Sequence, residues 1–335
     1  MMSAAVPLVE VTRGPFVESQ HRGHAVICDT SGQIVRSWGD PDLTILPRSS
    51  CKMVQALPLI ESGAADAAGL TSRQLALSCA SHNGASIHTG PVRDWLATLG
   101  LTDDALRCGP QEPGDRTAME ALIRAGELPC QYHNNCSGKH SGFLTLNRHI
   151  GGGSEYHEPD HPVQTAVRAA FEEVTGETSP GYGIDGCSAP NFATSLTGLA
   201  RAMAAFAGAR EGHGTRQTAQ ARLVQAMMAH PELVAGEGRS CTALMRAMEG
   251  RVAVKTGAEA VFVAILPEKG LGVAVKIEDG TTRASECAIT AILIGLGVLD
   301  PGHPAARAFG HMPILSRRGA VAGEVRPAAT LVTGW

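Results

Sequence analysis

Strand-like patterning sits only near the two ends of this chain, and that placement constrains its fold more than any other feature. Residues 6–12 and 24–38 read as strands, and Asp29-Thr30-Ser31-Gly32 is a turn between two β-rich arms, which predicts a hairpin. Far along the chain, 251–256, 259–266 and 271–278 again alternate in strand fashion, separated by Gly257 and by Glu268-Lys269-Gly270. The sequence between reads as helix. A helix opens near Ser49 and runs through Met53, Leu57 and Ile60, with Pro58 as its kink. Further helical patterns cover about 72–80, 90–99, 116–125, 137–148, 162–175, 191–207, 216–230 and 240–249. A last helix covers about 282–297, and the tail from Pro301 reads as irregular as far as Ile314. Strands so distributed build a core by pairing with each other. The expected class is α/β of the α+β kind: an antiparallel sheet from about 1–60 and 250–335, flanked by helices, with a central helical part over about 61–249. No linker rich in Gly, Ser and Pro divides the chain, so a single catalytic domain over 1–335 is expected.

Composition excludes several functional classes. A 44% hydrophobic fraction over 335 residues supplies a sizeable core. The balance of 28 basic and 32 acidic side chains argues against a nucleic-acid surface, which needs clustered positive charge. Only 4% of residues are aromatic, too few for base-stacking platforms, so a small-molecule substrate is expected. The start, Met1 to Thr12, lacks a basic segment followed by a long apolar one, and the apolar run at Ile289 to Val298 is too short to span a membrane. Nine scattered cysteines fit reduced thiols, so a cytoplasmic location is expected.

Three short polar stretches carry the chemistry. Ser49-Ser50-Cys51-Lys52, Ser81-His82-Asn83 and Lys255-Thr256-Gly257 read S-x-x-K, S-x-N and K-T-G, in the order found in serine acyl-transfer enzymes of the β-lactamase and penicillin-binding type. An amide resists water because its nitrogen leaves poorly, and a serine nucleophile divides the problem into acylation and ester hydrolysis. That serine needs a base, and a lysine serves once burial and a neighbouring cation favour its neutral form. Ser49 and Lys52 share one helical face, Lys255 is the second cation, and Ser81 is placed to relay a proton to the leaving ammonia. Ser50 competes as nucleophile, but its spacing to Lys52 is wrong for a shared face. The oxyanion hole expected here is the Ser49 N–H with one from the strand end after Gly257, at Ala258. Taken singly, each stretch also reads as an N-cap or a surface lysine; their joint order favours catalysis.

One other string invites a metal reading and fails. His157-Glu158-Pro159-Asp160-His161 matches H-E-x-x-H, but Pro159 and Pro162 break the helix that motif requires. The segment reads as a loop in which His161 or Asp160 caps a helix beginning at Pro162. By spacing alone, Cys136 and Cys187 read as small buried residues.

A closer resemblance rests on longer blocks: Pro47-Arg48-Ser49, Ser81-His82-Asn83-Gly84 with His88-Thr89-Gly90, Asn134-Asn135-Cys136-Ser137-Gly138-Lys139-His140, and Gly183-Ile184-Asp185-Gly186-Cys187. With them the chain resembles the asparaginase II family, the rhizobial-type L-asparaginases, from Val9 to about Val298. The resemblance implies a fold similar to serine β-lactamases and glutaminases, a homodimer, and hydrolysis of L-asparagine to L-aspartate and ammonia. It places the family's Ser-Lys pairs on Ser49 with Lys52 and Ser81 with Lys255, and a zinc site on Cys136, Lys139 and Cys187. Cys241 would lie near that metal, Asp185 would orient it or the substrate, and Arg48, His82 and Asn83 would contact the substrate. No glutamate-plus-asparagine loop of the class A β-lactamase kind is present, and the Ser49-to-Ser81 gap is short for an antibiotic-hydrolysing enzyme. Two further readings stay open: a glutaminase or other serine amidohydrolase, and a non-catalytic zinc-binding sensor.

Overall fold

The structure, a computed structural model, describes residues 4–335. It divides into two compact units: residues 1–50, 194–208 and 243–335, and residues 51–193 and 209–242.

The first unit holds an eight-stranded antiparallel sheet. Its order is Met312–Leu315, Val321–Pro327, Val6–Arg13, Phe16–Asp29, Leu271–Ile277, Val261–Leu266 and Ala253–Thr256, with Ile34–Trp38 also pairing along Phe16–Asp29. The predicted pairing of the N-terminal strands with 271–278 is present as Val26 opposite Ala274, and a strand not predicted adds Val9 opposite Pro327. The expected turn is there too: Gly32 takes φ 80°, and the Ser31 N–H donates to Asp29 Oδ1 at 2.9 Å. Strands Val261–Leu266 and Leu271–Ile277 are buried at nearly every position, so both their faces are covered. Helices Leu196–Gly208 and Thr282–Gly295 pack on them. The first lies so close that a side chain at Gly272 would come within 2.1 Å of the Ala204 nitrogen.

Two expectations need correction here. The second strand begins at Phe16, not 24, and its first five residues are exposed, so they lack the alternation that marks a half-buried strand. The tail expected to be irregular forms helix Pro304–Gly310 and the strand Met312–Leu315 at the sheet's edge, with Pro313 on that edge strand.

The second unit is helical, and two of its contacts matter for the site. Helix Ser137–Ile150 is buried from Ser137 to Asn147 despite a polar sequence. It tolerates this because Ser141 and Thr145 donate their hydroxyls to the carbonyls one turn back, Ser137 O and Ser141 O, at 2.9 and 2.8 Å. Gly138 and Gly142 then let helix Ser72–Ser78 approach: a side chain at Gly138 would reach Leu77 O at 2.4 Å, and one at Gly142 would reach Ser78 at 3.3 Å. The H-E-x-x-H string is a turn, with the His161 ring accepting from the Val163 N–H and Pro162 opening helix Pro162–Thr175. Among the described residues no helix is long and apolar enough to cross a membrane.

Candidate active site

The predicted site residues fall into two sets. Arg48, Ser49, Lys255 and Ala258 belong to the sheet unit, and Lys52, Ser81, His82, Asn83, Cys136, Lys139, Asp185, Cys187 and Cys241 belong to the helical unit.

In the sheet unit, Ser49 does not open an α-helix as its spacing suggested. Arg48–Cys51 form a 3-10 turn, and Arg48 sits at φ 54°, a left-handed conformation unfavourable for a residue with a side chain. The α-helix starts at Lys52, and Pro58 lies at the start of a second segment, Leu57–Glu61. Ser50 is fully buried and donates its hydroxyl to Pro47 O at 2.7 Å, whereas Ser49 is only half-buried. The strand end Lys255-Thr256-Gly257 abuts this turn: a side chain on Gly257 would lie 2.7 Å from Pro47 O and 3.0 Å from the Ser50 nitrogen. Glycine is therefore required at the third position of K-T-G. Lys255 is fully buried, with its Nζ donating to Thr256 O at 2.7 Å. The Gly257 N–H closes the hairpin on Val261 O at 2.7 Å, so Ala258 carries the first amide beyond that bond. The hairpin turn itself is strained, because Glu259 and Ala260 both sit at φ 54° where Asn-Gly is the usual choice. Each such residue costs roughly 1–2 kcal/mol.

In the helical unit, the crossing at Gly138 brings the segment after Ser78 to the start of helix Ser137–Ile150. The fully buried Lys52 Nζ donates both to Ala80 O and to Cys136 Sγ, the latter at 3.0 Å. Ser81 follows Ala80, is buried, and has its N–H on Val234 O at 2.9 Å. Lys139 Nζ donates to Cys187 Sγ at 3.1 Å. The two thiols share a hydrogen bond that holds Cys187 well below the usual thiol pKa and Cys136 well above it; Lys139 adds to the first effect and burial to the second. Burial opposes the Lys139 charge, yet Cys187, Cys136 and Asp185 together keep its pKa above the usual lysine value.

Some predicted residues have other work. His82 is buried, its Nε2–H donates to Ser137 Oγ at 2.9 Å while that hydroxyl donates to Tyr132 O, and its Nδ1 accepts from the Gly84 N–H. Burial, then the neighbouring His88 and Lys52, keep its pKa well below 6.5. Both His82 nitrogens are thus engaged by the chain, which ties the ring to the Ser81 turn. Asn83 is buried against Gly236, where a side chain would come within 2.5 Å of the Asn83 amide. Asp185 accepts from the Gly186 N–H at 2.8 Å. Cys241 is buried near the start of helix Ser240–Ala247 and is not among the groups acting most strongly on Cys136, Lys139 or Cys187. His140, to which no role was given, does act on Cys187. It is buried, its Nδ1 meets Tyr156 Oη at 2.8 Å, its ring also hydrogen-bonds Cys187, and burial lowers its pKa to about 4. Its spacing from Cys136 and Lys139 on one helix face was the available signal.

Among the described residues no group of three or more His, Cys, Asp or Glu side chains could hold a metal ion. The predicted donor set is of another kind, two thiols and one amine. Its donors meet in the hydrogen bonds of Cys187 with Cys136 and Lys139, and two sulfurs suit zinc, so the residues fit that ion.

A family model described as L-asparaginase II matches residues 9–327. Among curated proteins nothing matches. Solved structures with similar chains include a beta-lactamase/D-alanine carboxypeptidase from Pseudomonas syringae, 12% identical, covering 78% of this chain and 90% of that one at a TM-score of 0.41. A beta-lactamase from Mycobacterium bovis is 11% identical, covering 81% and 94% at 0.38, and an octameric penicillin-binding protein homologue from Pyrococcus abyssi is 12% identical, covering 82% and 73% at 0.38. These likenesses are too loose to carry an argument.

Proposed function

The chain belongs to the L-asparaginase II family, and from that premise we propose that it hydrolyses L-asparagine to L-aspartate and ammonia through an acyl-enzyme on Ser49. The observation that carries this reading is the contrast between two adjacent hydroxyls: Ser50 is buried and spends its proton on Pro47 O, while Ser49 remains half-exposed on the turn that Gly257 backs. Ser49 Oγ attacks the side-chain amide carbon as Lys52, three residues along the chain, takes its proton. The Ser49 and Ala258 N–H groups receive the oxyanion. Collapse of the tetrahedral intermediate breaks the C–N bond. We assign to Ser81 the passing of its proton to the departing ammonia, with the Lys52 proton replacing it and the buried Lys255 as the second lysine of the scheme. Water then attacks the ester, losing its proton to the now neutral Lys52, which passes it to the departing Ser49 oxygen as aspartate is released.

Cys136, Lys139 and Cys187 would hold a zinc ion, which when bound supplies a fixed positive charge. To serve as a ligand Lys139 would have to give up its proton, against the charges of Cys187, Cys136 and Asp185 that favour its protonated form. The experiment that tests the reading is loss of ammonia release on substituting Ser49.

A further inference from the structure

We infer that Glu259 selects substrates carrying an α-ammonium group by accepting that group on its carboxylate, opposite the charge of Arg48. The inference deepens the proposed asparaginase reading and rests on it. L-asparagine is a zwitterion at its α-carbon, and a site that tells it from a plain carboxylic amide must supply an anion as well as a cation.

Three observations within the sheet unit point to Glu259 as that anion. The first is its backbone. The Ala258–Val261 turn has Glu259 and Ala260, two residues with side chains, both at φ 54°. Strain of this kind persists where the surroundings over-determine it, and an observed outlier is grounds for a functional hypothesis. The turn directly follows Lys255-Thr256-Gly257, whose Gly257 lies against the segment that bears Ser49. The second is its support. Lys276 Nζ donates to the Glu259 carbonyl, which ties down the strained backbone with a cation that would otherwise be free for the carboxylate. On the other side Gly280, at φ 74°, makes room for the carboxylate: a side chain there would meet Glu259 Oε2 at 2.7 Å. The third is its company. Burial lowers the Lys276 pKa, Glu259 and then Asp279 and Glu278 raise it, and Arg48 lowers it, so Glu259 is the foremost of three carboxylates that share one neighbourhood with Lys276 and Arg48. Arg48 too is held at φ 54°, directly before Ser49. One anion and one cation, each on a strained residue, flank the nucleophile's turn and its supporting strand.

The test compares L-asparagine with succinamic acid, the same amide lacking the α-amino group, for the wild type, Glu259→Gln and Glu259→Asn. Asparagine favours the left-handed conformation, so the second variant removes the charge while keeping the turn. The expected result is a rise of about tenfold or more in KM for L-asparagine with kcat nearly unchanged, and unaltered kinetics on succinamic acid. Equal losses on both substrates in both variants would make Glu259 a structural turn residue and overturn the inference, as would no change on either. Wild-type protein that hydrolyses succinamic acid but not asparagine contradicts the proposed substrate itself, a result distinct from failure of the Glu259 variants.

Discussion

Lys52 Nζ donates to the Cys136 sulfur at 3.0 Å, so the proposed catalytic base and a proposed zinc ligand are one hydrogen bond apart. The same nitrogen also holds Ala80 O, directly before Ser81. Lys52→Met removes the base and leaves a buried carbonyl and a buried thiol without their donor. It is expected to lower kcat by about 10²–10⁴-fold and to cost roughly 1–3 kcal/mol of stability. Ammonia-release kinetics and urea unfolding check the two effects separately; activity near the wild-type level would remove Lys52 from proton transfer.

Gly257 offers a cleaner geometric test, because its missing side chain is what lets the strand end meet the Pro47–Ser50 segment. Gly257→Ala places a carbon 2.7 Å from Pro47 O and 3.0 Å from the Ser50 nitrogen, closer than packed atoms sit. Turnover is expected to fall at least about tenfold with a loss of ~1–3 kcal/mol in stability. Unchanged kinetics and unfolding would show that the Ser49 turn does not depend on that contact.

Zinc content tests the thiol pair independently of activity. The wild type is expected to bind about one zinc per chain, and Cys136→Ser and Cys187→Ser should each lose most of it, read by elemental analysis of protein equilibrated with zinc. Cys241→Ser should keep it. Equal zinc in all four proteins would place the ion elsewhere.

The buried histidine behind Ser81 predicts a pH dependence with a definite sign. Burial, His88 and Lys52 hold the His82 pKa well below 6.5, so the unfolded chain binds this proton more readily than the native one. Its contribution is therefore fully present above 6.5 and is lost progressively as the pH falls below that value. Denaturation midpoints for the wild type should fall between pH 7.5 and 5, and His82→Gln should flatten that slope. An identical slope in the variant would rule out His82 as its source.

What the sequence disclosed was largely local. The cap at His161-Pro162 and the turn at Asp29–Gly32 are set by residues within a few positions, and both appear as read. Helix Pro162–Thr175 follows from periodicity in the same way. What escaped depends on partners distant in the chain. Strand Val321–Pro327 shows little alternation, and its place is fixed by pairing with Val6–Arg13, more than 300 residues earlier. The hydrogen bond that His82 makes through its Nε2–H to Ser137, 55 residues on, could not be read either. Ser49 could be proposed as nucleophile from its motif and its spacing to Lys52, but the further ground for preferring it over Ser50, the Pro47 carbonyl, is a matter of backbone shape. The strain at Glu259 and Ala260 was likewise invisible, since nothing in Glu-Ala announces a left-handed turn.

The central claim is that Ser49 attacks the amide of L-asparagine. Its most direct test is ammonia release from L-asparagine and L-glutamine by the wild type, Ser49→Ala and Ser50→Ala. The account predicts turnover of L-asparagine by the wild type, loss of all but a few thousandths of it in Ser49→Ala, and substantial retention in Ser50→Ala. Persistence of asparagine hydrolysis in Ser49→Ala would contradict it.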